Sequence, residues 1–183
     1  MTELLDELAV VAAGCTRCGL CASRTHTAFA RGSPRARLMV VGEAPGAEED
    51  AAGIPFVGPS GELLDSMLRS VGIEAYICNA VKCRPPGNRA PTPEELEACR
   101  DYLEAQIAEV RPAIILALGR TAMKALGMGF PERWRGRWAR VYGIPALATY
   151  HPAYMLRNPA AKKVVGLDLR ALLNEYRRQT ASE

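Results

Sequence analysis

Histidine is scarce in this chain: His26 and His151 are the only two in 183 residues. No apolar run approaches the roughly 20 residues needed to span a bilayer. The first residues carry Glu3, Asp6 and Glu7 and lack the basic stretch that opens a secretory leader. Internal repeats, linkers and low-complexity tracts are also missing. These absences argue against a membrane protein and a repeat array, and the expected location is the cytoplasm. With 49% hydrophobic residues the chain is not expected to be disordered. Its length suits one domain, residues 1–183, with a core large enough to do without disulfides.

What is present is more pointed. Six cysteines in a reducing compartment suggest metal binding or catalysis rather than a disulfide framework. The net charge of +3 says little about an anionic partner. Arg133, Arg135, Arg137 and Arg140 do cluster around Trp134 and Trp138, and Arg157, Lys162 and Lys163 follow. On charge alone a solvated face is the simpler account of these groups.

The stretch Tyr76–Cys99 organises the rest. Tyr76, Ile77 and Val81 are strand formers, and Arg84-Pro85-Pro86-Gly87-Asn88 then stops any regular element. Thr92-Pro93-Glu94-Glu95 opens a helix, with Thr92 as cap and Glu95 closing a capping box. Around this stretch, helices are expected over 2–13, from a Ser60 cap to Val71, and over 93–110, 120–126 and 161–178. Strands are expected over 37–42, 75–81, 113–118 and 145–149. Such alternation predicts an α/β fold with a mainly parallel sheet covered on both faces. Ligands of such sheets bind at the carboxyl ends of the strands. Gly42-Glu43, Asn79 and His151 fall at three of those ends.

Four thiolates suit either zinc or an iron–sulfur cluster, and spacing does not separate the two. Cys15, Cys18, Cys83 and Cys99 form one such set, although Cys18 and Cys21 have the same spacing as Cys15 and Cys18. Cys78, inside a strand, reads as a small apolar residue.

The segments VGEAPG with a following EED, GIPFVG, NAVKCRPPGNRAPTPEE and YHPAYMLRNP, with the cysteines in order, resemble the family 4 uracil-DNA glycosylases. The resemblance covers nearly the whole chain. It implies a three-layer αβα fold with a four-stranded parallel sheet, and hydrolysis of the bond between uracil and deoxyribose in DNA. It further implies a 4Fe–4S cluster on Cys15, Cys18, Cys83 and Cys99. The implied partner is uracil-containing DNA, single- or double-stranded, met by a monomer.

On the same basis His151 donates to uracil O2 as negative charge develops there, and Asn79 pairs with N3 and O4. Phe56 stacks on the base, and backbone amides of Glu43 and Ala44, next to Gly42, meet a uracil carbonyl. Ala44 stands where another branch of the superfamily has a water-orienting Asp. Glu43 and Glu49 are therefore the candidate catalytic carboxylates, with Glu49 alternatively excluding the thymine methyl. Met155 or Leu156 is the expected wedge into the duplex. Arg157 and the Arg133–Arg140 cluster are expected on phosphates. The competing possibility is a non-enzymatic or covalently trapping uracil-DNA-binding protein on the same fold. The basic His-containing insertion of the trapping branch is not found here.

Overall fold

The computed structural model describes residues 2–129 and 134–181. Its first elements are helix α1 (Glu3–Ala13), strand β1 (Arg31–Gly32), strand β2 (Leu38–Gly42) and helix α2 (Ala47–Ala52). Helix α3 (Pro59–Val71), strand β3 (Ala75–Asn79), helix α4 (Pro93–Val110) and strand β4 (Ile114–Leu118) follow. Helix α5 (Gly119–Ala125), strands β5 (Trp138–Val141) and β6 (Ile144–Thr149), and helices α6 (Pro152–Arg157) and α7 (Ala161–Thr180) complete the order. Helix α4 begins as its sequence dictates: Thr92 Oγ1 accepts from Glu95 N, and Glu95 Oε2 accepts from Thr92 N at 2.8 Å. Gly72, in the left-handed region, closes α3. Ser60 does not cap α3; it lies inside the helix, behind Pro59 at the first helical turn.

The sheet has six strands in the order β1-β3-β2-β4-β6-β5. The expected four-stranded sheet is therefore corrected to a six-stranded mixed one. Strands β3, β2, β4 and β6 pair in parallel, while β1 and β5 pair antiparallel on the two edges. The inner strands are apolar on both faces, as strands covered from both sides must be. Met39, Val41, Ile115 and Ala117 pack on one face with Tyr102, Leu103 and Ile107 of α4 and Met123 of α5. Leu38, Val40, Leu116 and Leu147 pack on the other with Leu64 and Leu68 of α3 and Val165 and Leu172 of α7. Full burial of each such side chain stabilises by about 1.5–3 kcal/mol. A two-residue β1 and a largely exposed β5 add little beside that.

Parallel strands point their carboxyl ends the same way. Gly42, Asn79, Gly119 and the Tyr150–His151 turn therefore meet along one edge of the sheet. Two short helices appear where loops were expected: α2 within the segment after β2, and α6 directly after His151. Among the described residues no helix is long and apolar enough to cross a membrane.

Candidate active site

That edge forms a cleft of about 810 Å³ whose lining includes Glu43, Phe56, Asn79, Trp134, His151 and Arg157. Asn79, 1% exposed, ends β3 beside Gly42, its register partner on β2. The fit there is tight: a Cβ on Gly42 would lie 2.3 Å from Asn79 Oδ1 and 2.5 Å from Phe56 Cζ. Gly42 thus lets the amide and the ring share the floor of the cleft. Asn79 Oδ1 is buried and has no hydrogen-bond partner among the described residues. A buried acceptor left unpaired costs about 1–3 kcal/mol, so it marks the place where a ligand donor would be gained.

Phe56 is buried and held in a left-handed backbone conformation, φ 56°. Two neighbours fix that conformation. The first is Gly61 of α3, where a Cβ would lie 1.7 Å from the Phe56 carbonyl oxygen. The second is Glu49, whose carboxylate accepts from the backbone N–H groups of Gly46, Val57 and Gly58, each at 3.0 Å. Glu49 thereby closes the first turn of α2 and ties down the Phe56 loop. The expectation that it activates water meets this geometry: both its oxygens are already engaged by main chain.

His151 caps α6, its Nδ1 accepting from Ala153 N at 3.1 Å. The bond fixes the tautomer, because Nδ1 must be unprotonated and the proton then sits on Nε2. Burial, with Arg157 adding to it and Glu49 opposing, pushes its pKa down to about 4. The imidazole is therefore a neutral Nε2–H donor at neutral pH. Its ring stacks on Phe56 with centroids 5.6 Å apart and planes 28° from parallel.

Glu43, just beyond β2, takes a hydrogen bond on Oε2 from the Thr121 hydroxyl of α5. Ala44 lines the cleft next to it, as does Arg120. Thr121 and Arg120 were missed in the sequence, although their signal is plain in hindsight. They follow Gly119 at the end of β4, an inner strand end equivalent to those of Gly42, Asn79 and His151.

Helix α6 separates the expected wedge residues. Met155 is 1% exposed and packs in the core with α3 and α7, whereas Leu156 is 46% exposed and Arg157 is exposed beside it. Met155 is thus corrected from wedge to core residue, and Leu156 remains available. The arginine cluster is divided too. Arg135 donates to buried Asp168 at 2.6 Å, whose other oxygen accepts from Thr149 at 2.6 Å. Arg140 donates to the Gly143 carbonyl, and Arg133 lies outside the described residues.

Of the expected ligands, Cys83 lies in the loop after β3 and Cys99 in α4, both buried, while Cys15 and Cys18 follow α1 and are half-buried. Burial raises the Cys83 thiol, Arg24 opposes, and Cys99 and Cys18 raise it further. Burial also raises Cys99, with Lys82 opposing and Cys18 and Cys15 adding to the rise. Cys83 is thus within electrostatic reach of Cys99 and Cys18, and Cys99 of Cys18 and Cys15. Arg24 Nη1 donates to Cys83 Sγ and Lys82 N donates to Cys99 Sγ, each at 3.4 Å. Such donors suit thiolates. Cys78 is fully buried in β3. Among the described residues no group of three or more His, Cys, Asp or Glu side chains is arranged to hold a metal ion.

The model of the Uracil DNA glycosylase superfamily matches residues 29–172, and the chain belongs to that superfamily. It is similar to the Type-4 uracil-DNA glycosylase of Thermotoga maritima, 43% identical over 169 residues that cover 85% of each chain. The Type-4 uracil-DNA glycosylase of Archaeoglobus fulgidus is 38% identical over 93% of this chain and 92% of its own. A Type-5 uracil-DNA glycosylase of Thermus thermophilus is 35% identical over 66% of each.

Proposed function

We propose that the chain is a uracil-DNA glycosylase that takes uracil, flipped out of DNA, and hydrolyses its N-glycosidic bond. The product is an abasic site, the start of base excision repair. The observation that carries this is the unpartnered, buried Asn79 Oδ1 at the floor of the cleft. Uracil presents a donor at N3 and an acceptor at O4. Asn79 Oδ1 would accept from the first, and its Nδ2 would donate to the second. Cytosine carries an acceptor at N3 and a donor at N4, so it would set like against like at a buried amide.

Cleavage sends the electron pair of the C1′–N1 bond to the base and leaves positive charge on the sugar. His151, neutral and protonated on Nε2, is suited to donate to uracil O2 as that charge grows. Water then bonds to C1′, and the proton it gives up passes by way of the Glu43 carboxylate to the departing uracil anion, leaving a sugar hydroxyl and neutral uracil. Glu43 is the carboxylate proposed to face the sugar cation and the water, with Thr121 steadying Oε2. Phe56 would stack on the base, and the Glu43 and Ala44 amides would hold a carbonyl. Leu156 would enter the stack and Arg157 would meet phosphate. A monomer acting in the cytoplasm on single- or double-stranded DNA completes this account.

We further propose that Cys15, Cys18, Cys83 and Cys99 hold a 4Fe–4S cluster. What supports the reading is the donor set's chemistry: four cysteines, of which Cys83 and Cys99 are buried and receive N–H donors from Arg24 and Lys82. A single tetrahedral zinc needs four sulfurs about 2.3 Å from one point, whereas a cluster spreads its thiolates over several irons. When bound, the cluster would supply a cross-link between the N-terminal segment and the loop after β3.

The test is an oligonucleotide carrying one uracil. Conversion to an abasic site, with matched cytosine and thymine oligonucleotides untouched, is expected. Tight binding with no conversion would assign the chain to the non-enzymatic alternative.

A further inference from the structure

Lys82 is 1% exposed, yet no carboxylate pairs with it among the described residues. Its ammonium donates to the Asn79 carbonyl oxygen and to Gln106 Oε1, both at 2.6 Å, and lies 5.7 Å from the centre of the Phe29 ring. Gln106 is itself fixed, donating to the Phe29 carbonyl at 3.2 Å and to the Tyr76 hydroxyl at 3.0 Å. Two neutral acceptors and a ring leave a buried cation without a counter-charge, an arrangement that costs much unless negative charge lies close. Lys82's own N–H donates to Cys99 Sγ, and Cys83 is the next residue. One residue therefore touches both the cysteine set and the main chain of the amide proposed to read the base.

We propose that Lys82 is a positioning residue that clamps Asn79 with the thiolates of the cysteine set as its counter-charge, so that loading the cysteine set orders the base pocket. This rests on the function proposed for Asn79. A filled four-thiolate site carries net negative charge and balances the ammonium, which then stays on the Asn79 carbonyl. An emptied site removes that balance, and the clamp loosens.

The experiment measures free uracil binding by calorimetry and hydrogen exchange over residues 75–83, in cluster-loaded protein and after oxidative chelation. In the parent protein, removal of the cluster should weaken uracil binding about tenfold or more, the scale of one charge-assisted hydrogen bond, and speed exchange in that segment. Loaded Lys82→Met should already show both changes, with little added by chelation. Gln106→Glu, which gives the ammonium a carboxylate but forfeits the donation to the Phe29 carbonyl, should lose less on chelation, relative to its own loaded form, than the parent does. The proposal is overturned if loaded Lys82→Met behaves as the parent, or if chelation has the same effect in both. Should Lys82→Met not fold, Gln106→Glu decides: loss as large as in the parent overturns it. If the loaded parent does not bind uracil, the function proposed above fails, and the exchange measurements still test the clamp.

Discussion

The proposed base pocket and the cysteine site are only four residues apart in sequence, Asn79 to Cys83, and they are built in different ways. At the pocket a buried polar atom is left unpaired, a glycine leaves space, and an aromatic residue is held in a disfavoured backbone conformation. At the cysteine site Cys83 and Cys99 receive N–H donors and pack into the apolar layer formed with α1 and α4. The pocket keeps a buried polar atom open to a ligand, whereas two of the cysteine sulfurs already receive donors from the chain. A polar group that the fold leaves unsatisfied points to where a ligand is read, and groups satisfied internally point to where the chain is held together.

Substitutions should split along that line. The largest effect is expected for His151→Ala, a fall of about 10²–10³ in the single-turnover excision rate, with binding to a non-cleavable uracil analogue little changed. Equal losses of rate and affinity would assign His151 to binding instead. Because its pKa lies near 4, the parent rate should not rise as pH falls from 7 to 5. The stability effect has a definite sign. An unfolded His takes up its proton near 6.5 and the folded one only near 4. Stability is therefore full above 6.5 and is lost as pH falls toward 4. Thermal melts across that window, compared with His151→Ala, check this.

On the other side of the comparison, Cys83→Ala should destabilise by roughly 2–3 kcal/mol, a fall in Tm of about 4–12 °C for a chain of this size. Cys78→Ala should cost less, because Cys78 loses only apolar packing. Equal melting shifts would count against Cys83 as a ligand. Next in size is Asn79→Asp. Replacing the amide donor with an acceptor should cost about 1–3 kcal/mol in uracil excision and narrow the margin against cytosine. An unchanged rate for uracil would show that Asn79 does not read the base. Smallest is Thr121→Val, which frees Glu43 Oε2 and should slow excision by about two- to tenfold with no change in DNA affinity. A parent-like rate would leave Glu43 without need of its partner.

Much of this arrangement was legible in the sequence, for physical reasons that differ by element. The inner strands and α4 carry long apolar runs or a complete capping box, so pattern alone locates them within a residue or two. Strand β1 has two residues and no pattern to show. Strand β5 lies in a stretch whose arginines drew attention as charge, although one of them, Arg135, serves Asp168. Gly42, Asn79 and His151 sit at strand ends, Phe56 is singled out only by the family resemblance, and the structure brings all four together. The parts played by Glu49 and Lys82 were not legible. Each depends on which backbone atoms lie within 3 Å of a side-chain tip, and linear order does not carry that information. Met155 and Leu156 look interchangeable as letters, and only the turn of α6 separates buried from exposed.

The position of His151 at the end of β6 has a consequence for how the protein is made. All four cysteines and the residues proposed to read the base are translated before position 100, and His151 emerges 52 residues after Cys99. β6 must lie against β4 before the imidazole reaches Phe56. With the role proposed for His151, a nascent chain holding only its first hundred residues would be inert, and competence to cut would arrive with the last strand.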